Sequence, residues 1–178
     1  MNYKVGRVLY TAEQLKTKVE ELGEQIRRDY KGQTVVLVCV LTGAVTFFTD
    51  LARAIGGDVD VRFEFLSVSS YGSSRVTTGT VRIQKDLSND IRDMSVIVVE
   101  DIIDSGLSLS YIKDLLLARR PKSLEFCVLF DKKERRQKEV YVKYVGYPVP
   151  DEFILGYGID VASQYRHLKD LCVAEVEE

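Results

Sequence analysis

Long apolar stretches are absent from the 178-residue sequence, whose longest uninterrupted run covers residues 35–41. A helix that crosses a bilayer needs ~20 predominantly apolar residues, so we expect no membrane span and no membrane partner. The first residues, MNYKVGRVLYTAEQ, lack the apolar segment and the small-residue cleavage site of a signal peptide. The sequence therefore predicts a cytoplasmic protein.

An excess of basic residues is also missing. The 25 lysines and arginines are offset by 27 aspartates and glutamates, which gives a formal net charge of -2. Proteins that bind nucleic acid usually carry a strong positive field. We therefore expect no nucleic-acid partner.

Cysteine is scarce, and no two of the three cysteines have the spacing of metal ligands. Cys39 and Cys127 lie inside apolar runs, and Cys172 is near the end of the chain. The simplest interpretation is three buried, reduced thiols, as is typical of cytosolic proteins.

Apolar periodicity predicts helices that alternate with buried strands. Thr11 and Gln14 fit a capping box at the start of the first helix, and Gly32 is placed to stop it. Its apolar stripe comprises Leu15, Val19, Leu22 and Ile26. Further helices are predicted over about 44–55, which Gly56-Gly57 should end, and about 108–118.

Strand-like runs occupy residues 34–41, 59–66, 81–85, 95–99, 124–130 and 171–176. Several are uninterrupted and β-branched, as expected of strands covered on both faces. Strands that alternate with helices predict one α/β domain with a parallel sheet. Ligands bind beyond the carboxyl ends of the strands in such sheets, so functional residues are expected at these ends.

One strand end concentrates polar residues. The segment 100–108, EDIIDSGLS, follows an apolar strand and precedes a predicted helix. Its second half, residues 105–108, can aim backbone N–H groups and two hydroxyls at a phosphate, with help from the helix dipole. Gly106 would let the backbone approach that anion closely.

The acidic first half of this segment suits a different part of a ligand. Glu100 and Asp101 would repel a bare phosphate, but they can accept hydrogen bonds from sugar hydroxyls or act through Mg²⁺. A ligand with both a ribose and a phosphate fits both halves. The alternative is that Asp104 and Ser105 merely cap the helix.

The whole string resembles the phosphoribosyl-pyrophosphate (PRPP) motif of type I phosphoribosyltransferases, in the form found in the branch that acts on hypoxanthine and guanine. Neither a Walker A lysine motif nor GxGxxG is present to compete with it. The resemblance implies that Asp104 is the catalytic base. It implies PRPP binding by Glu100, Asp101, Ser105, Gly106, Leu107 and Ser108.

The same resemblance implies the architecture of the chain. Residues 1–178 would form a single phosphoribosyltransferase domain. Its parallel-sheet core, flanked by helices, would cover about 34–145. A small hood would be formed by the terminal segments 1–10 and 146–178.

Two further segments resemble functional segments of this family. Thr42 and Gly43 lie where it has a pyrophosphate-binding turn with a non-proline cis peptide, although many relatives carry lysine or arginine in place of Thr42. Without the family, this segment would be a simple strand-to-helix turn. Ser70 and Tyr71 match a mobile loop that closes over the site, although the bare composition fits any surface loop.

The base-binding residues are implied in the same way. Lys132 matches the lysine that donates to O6 of a purine, which favours 6-oxo over 6-amino bases. Phe153 matches the aromatic residue that stacks on the base, and Ile154 one whose backbone reads its edge. Asp160 matches a Mg²⁺ ligand in the purine-binding hood, and Arg166 a pyrophosphate-binding arginine. Taken alone, Phe153 would be a core residue and the charged segment 131–136 a solvated loop.

The implied reaction joins a 6-oxopurine, hypoxanthine or guanine, to PRPP and releases pyrophosphate. Mg²⁺ would be the cofactor, held by Glu100, Asp101 and Asp160, and a homodimer or homotetramer would be the assembly. The alternatives are the same reaction with xanthine, uracil or adenine, and a PRPP-binding regulatory protein. Arg136 is a further candidate for pyrophosphate binding.

Overall fold

The computed structural model describes residues 3–70 and 81–176. Its strands are β1 (Tyr3–Tyr10), β2 (Thr34–Val40), β3 (Asp60–Ser70), β4 (Val81–Lys85), β5 (Ser95–Ile103), β6 (Ser123–Asp131), β7 (Tyr144–Pro148), β8 (Ile154–Leu155) and β9 (Leu171–Val176). Its helices are α1 (Ala12–Asp29), α2 (Val45–Ile55) and α3 (Leu107–Leu117), with a 3₁₀ turn at Lys133–Arg135.

The larger of two sheets in this part of the chain has six strands in the order β4-β3-β2-β5-β6-β7. All neighbouring pairs are parallel except β3 and β4. Helices α1 and α2 cover one face and α3 the other. Because both faces are buried, β2 and β5 read as unbroken apolar runs. The predicted α/β fold with a parallel sheet is confirmed.

The two ends of α1 differ in how well they were predicted. The capping box is present, since Gln14 N donates to Thr11 Oγ1 and Thr11 N donates to Gln14 Oε1. The helix ends at Asp29 with Tyr30 as its C-cap, so the prediction that Gly32 stops it is wrong. Gly32 instead takes a positive φ of 71° in the turn beyond.

Two strands extend further than their apolar runs. β3 continues to Ser70 because its last residues pair with β4, and β5 continues to Ile103 because it pairs with the end of β6. The acidic pair Glu100-Asp101 therefore lies within β5. Ser70 ends β3, whereas Tyr71 lies outside the residues that the structure describes.

The smaller sheet joins both ends of the chain, in the order β1-β9-β8. β1 pairs antiparallel with β9 and β9 with β8. β1 was not predicted, because half of its eight residues are exposed, none is fully buried, and its sequence shows no apolar alternation. The division into a core and a hood stays a prediction.

All three cysteines are buried and free, as predicted. Burial, and then the nearby carboxylates Glu100 and Asp101, raise the pKa of the Cys39 thiol to about 12. This thiol is therefore protonated at neutral pH and has little nucleophilic character. Separately, none of the helices in residues 3–70 and 81–176 is long and apolar enough to span a membrane.

Candidate active site

The candidate residues gather at the carboxyl ends of the parallel strands. The turn 41–43 follows β2, the loop 104–106 follows β5, and Lys132 follows β6. Parallel strands bring these ends to one edge of the sheet, where ligands bind in open α/β folds. A cavity of about 180 Å³ in this region is lined by residues 100–106, 108 and 109.

The loop after β5 is not an ordinary capped helix start. The N-cap of α3 is Gly106, with a φ of 80°, and it makes no side-chain cap. Ser105 Oγ accepts a long hydrogen bond from Leu107 N at 3.4 Å. Asp104 caps nothing: its Oδ1 is buried without a hydrogen-bond partner among the described residues. A buried oxygen without a donor indicates a site that a ligand completes.

The two adjacent carboxylates of Glu100 and Asp101 are buried, and burial disfavours their charged forms. Glu100 is only 9% exposed, and burial, followed by the charge of Asp101, raises its pKa well above the usual range. Burial also raises the pKa of Asp101, although its hydrogen bonds and nearby Arg166 act in the opposite direction. A bound hydrogen-bond donor or cation would stabilise the ionised form of both carboxylates.

We expect Glu100→Gln to stabilise the protein while weakening ligand binding. Because the folded-state pKa of Glu100 is raised, the wild type loses stability as pH rises from the unfolded pKa through the folded one. At about pH 8 the variant should have a higher free energy of unfolding than the wild type, because glutamine removes a charge that burial disfavours. This difference in unfolding free energy between the variant and the wild type should become smaller as the pH falls. Urea denaturation at about pH 8 and about pH 5 tests this, and a variant destabilised at both pH values would contradict it.

The turn after β2 lies directly against the acidic pair. The Leu41–Thr42 peptide bond is cis, as implied by the resemblance. A Cβ added to Gly43 would lie 1.9 Å from Asp101 Oδ2, and one added to Gly158 would lie 2.2 Å from the Gly43 carbonyl oxygen. Only glycine permits these contacts, so the turn, Asp101 and the segment around Gly158 form one tightly packed unit.

We therefore expect Gly43→Ala to disrupt the site with little loss of global stability. The added methyl group would have to displace Asp101 or the turn, and a misplacement of about 1 Å can cost on the order of 100-fold in rate. PRPP affinity and turnover should both fall at least tenfold. Gly57→Ala is the matched control, since no atom of residues 3–70 and 81–176 outside its own chain neighbours lies within 4 Å of its Cβ position. Equal kinetics in the two variants would contradict the importance of this contact.

A charged pair lies beside the same turn. Arg166 Nη2 is 2.5 Å from Asp160 Oδ1, and its Nη1 donates to the Gly158 carbonyl at 2.7 Å. Asp160 also accepts from Ser163 N. Arg166 brings a positive charge to a site in which Thr42 brings none.

The base-binding candidates lie directly after β6, at Lys132, and at the start of β8, at Phe153 and Ile154. Lys132 is 7% exposed, its backbone N donates to the Ile103 carbonyl at 3.0 Å, and its Nζ donates to the Glu152 carbonyl at 2.9 Å. Ile154 is buried, whereas Phe153 is 64% exposed, so the interpretation of Phe153 as a core residue is wrong. A buried ammonium near an exposed aromatic ring suits recognition of a flat polar base.

The charged segment after β6 is only partly solvated: Lys133, Glu134 and Arg135 are exposed, whereas Asp131 and Lys132 are buried. The Arg136 and Asp131 side chains are 11% and 10% exposed and lie 2.5 Å apart. Arg135 pairs with Asp151 at 2.6 Å and lies 3.9 Å from Asp104. The Arg136–Asp131 pair was not predicted, because a run of charges carries no signal that separates a buried residue from an exposed one.

The carboxylates of this site fit Mg²⁺ only if substrate phosphates supply some of the ligands. Within residues 3–70 and 81–176, no three of the His, Cys, Asp and Glu side chains come together to hold a metal ion. Glu100 and Asp101 nevertheless offer adjacent carboxylate oxygens in a buried setting that favours neutralisation. Mg²⁺ is commonly bound by one or two carboxylates together with substrate phosphates, and this pair fits that pattern.

Comparison with known proteins supplies an independent identification. A family model described as a phosphoribosyl transferase domain matches residues 8–162. The hypoxanthine-guanine phosphoribosyltransferase of Mycobacterium tuberculosis is 48% identical over 170 residues, 92% of this chain and 83% of that protein. The hypoxanthine phosphoribosyltransferase of Escherichia coli is 47% identical over 163 residues, 90% of each chain. A crystal structure of a hypoxanthine-guanine phosphoribosyltransferase from Bacillus anthracis superposes with a TM-score of 0.89 at 45% identity, covering 98% of this chain and 100% of the other.

Proposed function

This chain belongs to the phosphoribosyltransferase family, and on that premise we infer that it is a purine-salvage enzyme. It converts hypoxanthine or guanine and PRPP into the nucleoside monophosphate and pyrophosphate. The observation that carries this inference is the buried Asp104 Oδ1, which has no hydrogen-bond partner in the described part of the chain. Asp104 lies directly before the turn that opens α3, and its neighbour Ile103 accepts a hydrogen bond from the backbone N of Lys132.

The 5′-phosphoribosyl group is assigned to segment 100–108. Glu100 and Asp101 accept hydrogen bonds from the ribose hydroxyls. The backbone N–H groups and hydroxyls of residues 105–108 bind the 5′-phosphate at the start of α3. Fixing the sugar in this way aligns its anomeric carbon with the incoming base.

The base is assigned to the opposite side of Asp104. Lys132 donates to O6, Phe153 stacks on the ring, and the backbone of Ile154 reads its edge. A bond forms between N9 of the purine and the anomeric carbon as the bond from that carbon to the pyrophosphate oxygen breaks. Asp104 accepts the proton at N7, which makes the purine a better nucleophile.

The leaving pyrophosphate is assigned to the turn 41–43 and Arg166. Because Thr42 carries no charge, backbone N–H groups and Arg166 stabilise the developing negative charge. Glu100, Asp101 and Asp160 would hold Mg²⁺, which supplies further charge neutralisation to the phosphates when bound. Asp160 would then give up part of its ion pair with Arg166 in order to bind the metal ion.

The direct test is the stoichiometry of the reaction. The purified chain, incubated with hypoxanthine, PRPP and Mg²⁺, should form inosine monophosphate and pyrophosphate in equal amounts, and chelation of the metal should stop both. Pyrophosphate release without nucleotide would indicate hydrolysis of PRPP and would refute the transferase assignment.

We also propose that the enzyme acts in the cytoplasm as a homodimer or homotetramer. One exposed aromatic side chain favours self-association: Phe63 is 51% exposed and packs edge-on against Phe48 with ring centroids 4.8 Å apart. A side chain of this size is costly to leave in water. Sedimentation of the wild type should give a multimer, and a strict monomer with full activity would refute the assembly.

A further inference from the structure

We propose that Arg136 is a positioning residue that, held by Asp131, fixes the backbone of Asp104 and so the geometry of the PRPP loop. The proposal rests on the proposed function, since it gives Arg136 a role in that same site. It differs from pyrophosphate binding, the role for which Arg136 was a candidate, because the guanidinium acts here through protein groups.

The guanidinium of Arg136 joins two strand ends. Its Nε donates to the Asp104 carbonyl oxygen at 3.1 Å, and its Nη2 donates to Asp131 Oδ1 at 2.5 Å. Asp104 follows β5, whereas Asp131 is the last residue of β6. Arg136 therefore couples the loop that carries the catalytic carboxylate to the rigid end of the neighbouring strand.

The residues after Arg136 hold the next part of the loop. The backbone N–H groups of Gln137 and Lys138 both donate to the Ser105 carbonyl, at 2.9 and 3.0 Å. A Cβ on Gly106 would lie 2.1 Å from the Lys138 carbonyl oxygen and 3.0 Å from Arg136 Cδ. Two consecutive carbonyls of the loop, those of Asp104 and Ser105, are thus anchored by segment 136–138.

The stability of the fold does not by itself require a charged pair here. Burying two charges costs solvation free energy, and apolar residues of similar volume often replace such a pair without loss of stability. What the apolar replacement cannot do is donate to the Asp104 carbonyl. The planar guanidinium, with several donors in fixed directions, can bind the carbonyl and the carboxylate together.

The base side of the site is held independently of Arg136. Lys132 is fixed by the Ile103 carbonyl at its backbone N and by the Glu152 carbonyl at its Nζ. Loss of Arg136 should therefore disturb the sugar-phosphate side and Asp104 while leaving base recognition intact. This asymmetry separates a positioning role from a general effect on folding.

The test is the double variant Asp131→Leu/Arg136→Met, together with Arg136→Lys. In the double variant we expect a wild-type urea midpoint, a kcat lowered 10- to 100-fold and a PRPP KM raised about tenfold. The hypoxanthine KM should change less than about twofold. Arg136→Lys keeps the charge pair but lacks the planar fork, so its kcat should also fall at least about fivefold at unchanged stability.

Arg119→Met is the matched control, because Arg119 also binds an aspartate, Asp86, but far from the loop. Its kinetics should equal those of the wild type. A folded double variant, or Arg136→Lys, with wild-type kcat and PRPP KM would overturn the positioning role. A wild type that forms no nucleotide in the same assay would instead overturn the proposed function.

Discussion

Asp104→Asn is expected to lower kcat by 10²- to 10⁴-fold, or about 3–5 kcal/mol, the usual contribution of general acid–base catalysis. The substitution keeps the shape of the side chain and removes its ability to accept the N7 proton. PRPP affinity should stay within a few-fold of the wild-type value, because the phosphate and the ribose are bound by neighbouring groups. Single-turnover kinetics and equilibrium PRPP binding measure the two effects separately.

The control for this variant is Asp114→Asn, an equivalent change on the exposed face of α3. It should leave both quantities unchanged. Unchanged turnover in Asp104→Asn would remove Asp104 from its assigned role. A parallel loss of PRPP binding and turnover would instead assign Asp104 to the sugar-phosphate site.

Lys132→Met is expected to change the choice of base. Hydrogen bonds that involve a charged group contribute about 1.5–3 kcal/mol, so kcat/KM for hypoxanthine and guanine should fall roughly 10- to 150-fold. Adenine lacks an O6 acceptor, so its kcat/KM should fall much less, and the preference for 6-oxopurines should narrow accordingly. Steady-state kinetics with each base measures this.

Lys133→Met provides the matched control, since Lys133 is the next residue and is exposed. Its base preference should equal that of the wild type. If Lys132→Met lowers kcat/KM equally for all bases, the lysine supports the site without reading O6. Thermal denaturation of both variants should show whether the lost bond between Lys132 Nζ and the Glu152 carbonyl destabilises the protein.

The sequence was informative wherever local chemistry determines the structure. The capping box of α1 and the β-branched run of β2 were predicted because their periodicity and burial are both local signals. Segment 100–108 was predicted as a site because phosphate binding needs a specific order of acidic, small and hydroxyl residues. The structure gathers that segment, Lys132 and the turn 41–43 at one edge of the sheet.

The features that were missed depend on distant parts of the chain. β1 is a strand only because β9, more than 160 residues away, pairs with it at Tyr3. The exposure of Phe153 and the burial of Arg136 reverse what hydrophobicity and charge predict. Both are set by tertiary packing, and sites of function are where such local rules are expected to fail.

The central claim is that this chain transfers a phosphoribosyl group to 6-oxopurines. The most direct test supplies PRPP and Mg²⁺ with hypoxanthine, guanine, xanthine, adenine or uracil in parallel and measures nucleotide formation. We predict much faster nucleotide formation with hypoxanthine and guanine than with adenine or uracil. Products with adenine or uracil alone would contradict the assignment of Lys132, and tight PRPP binding without any product would contradict the claim and favour a PRPP-binding regulator.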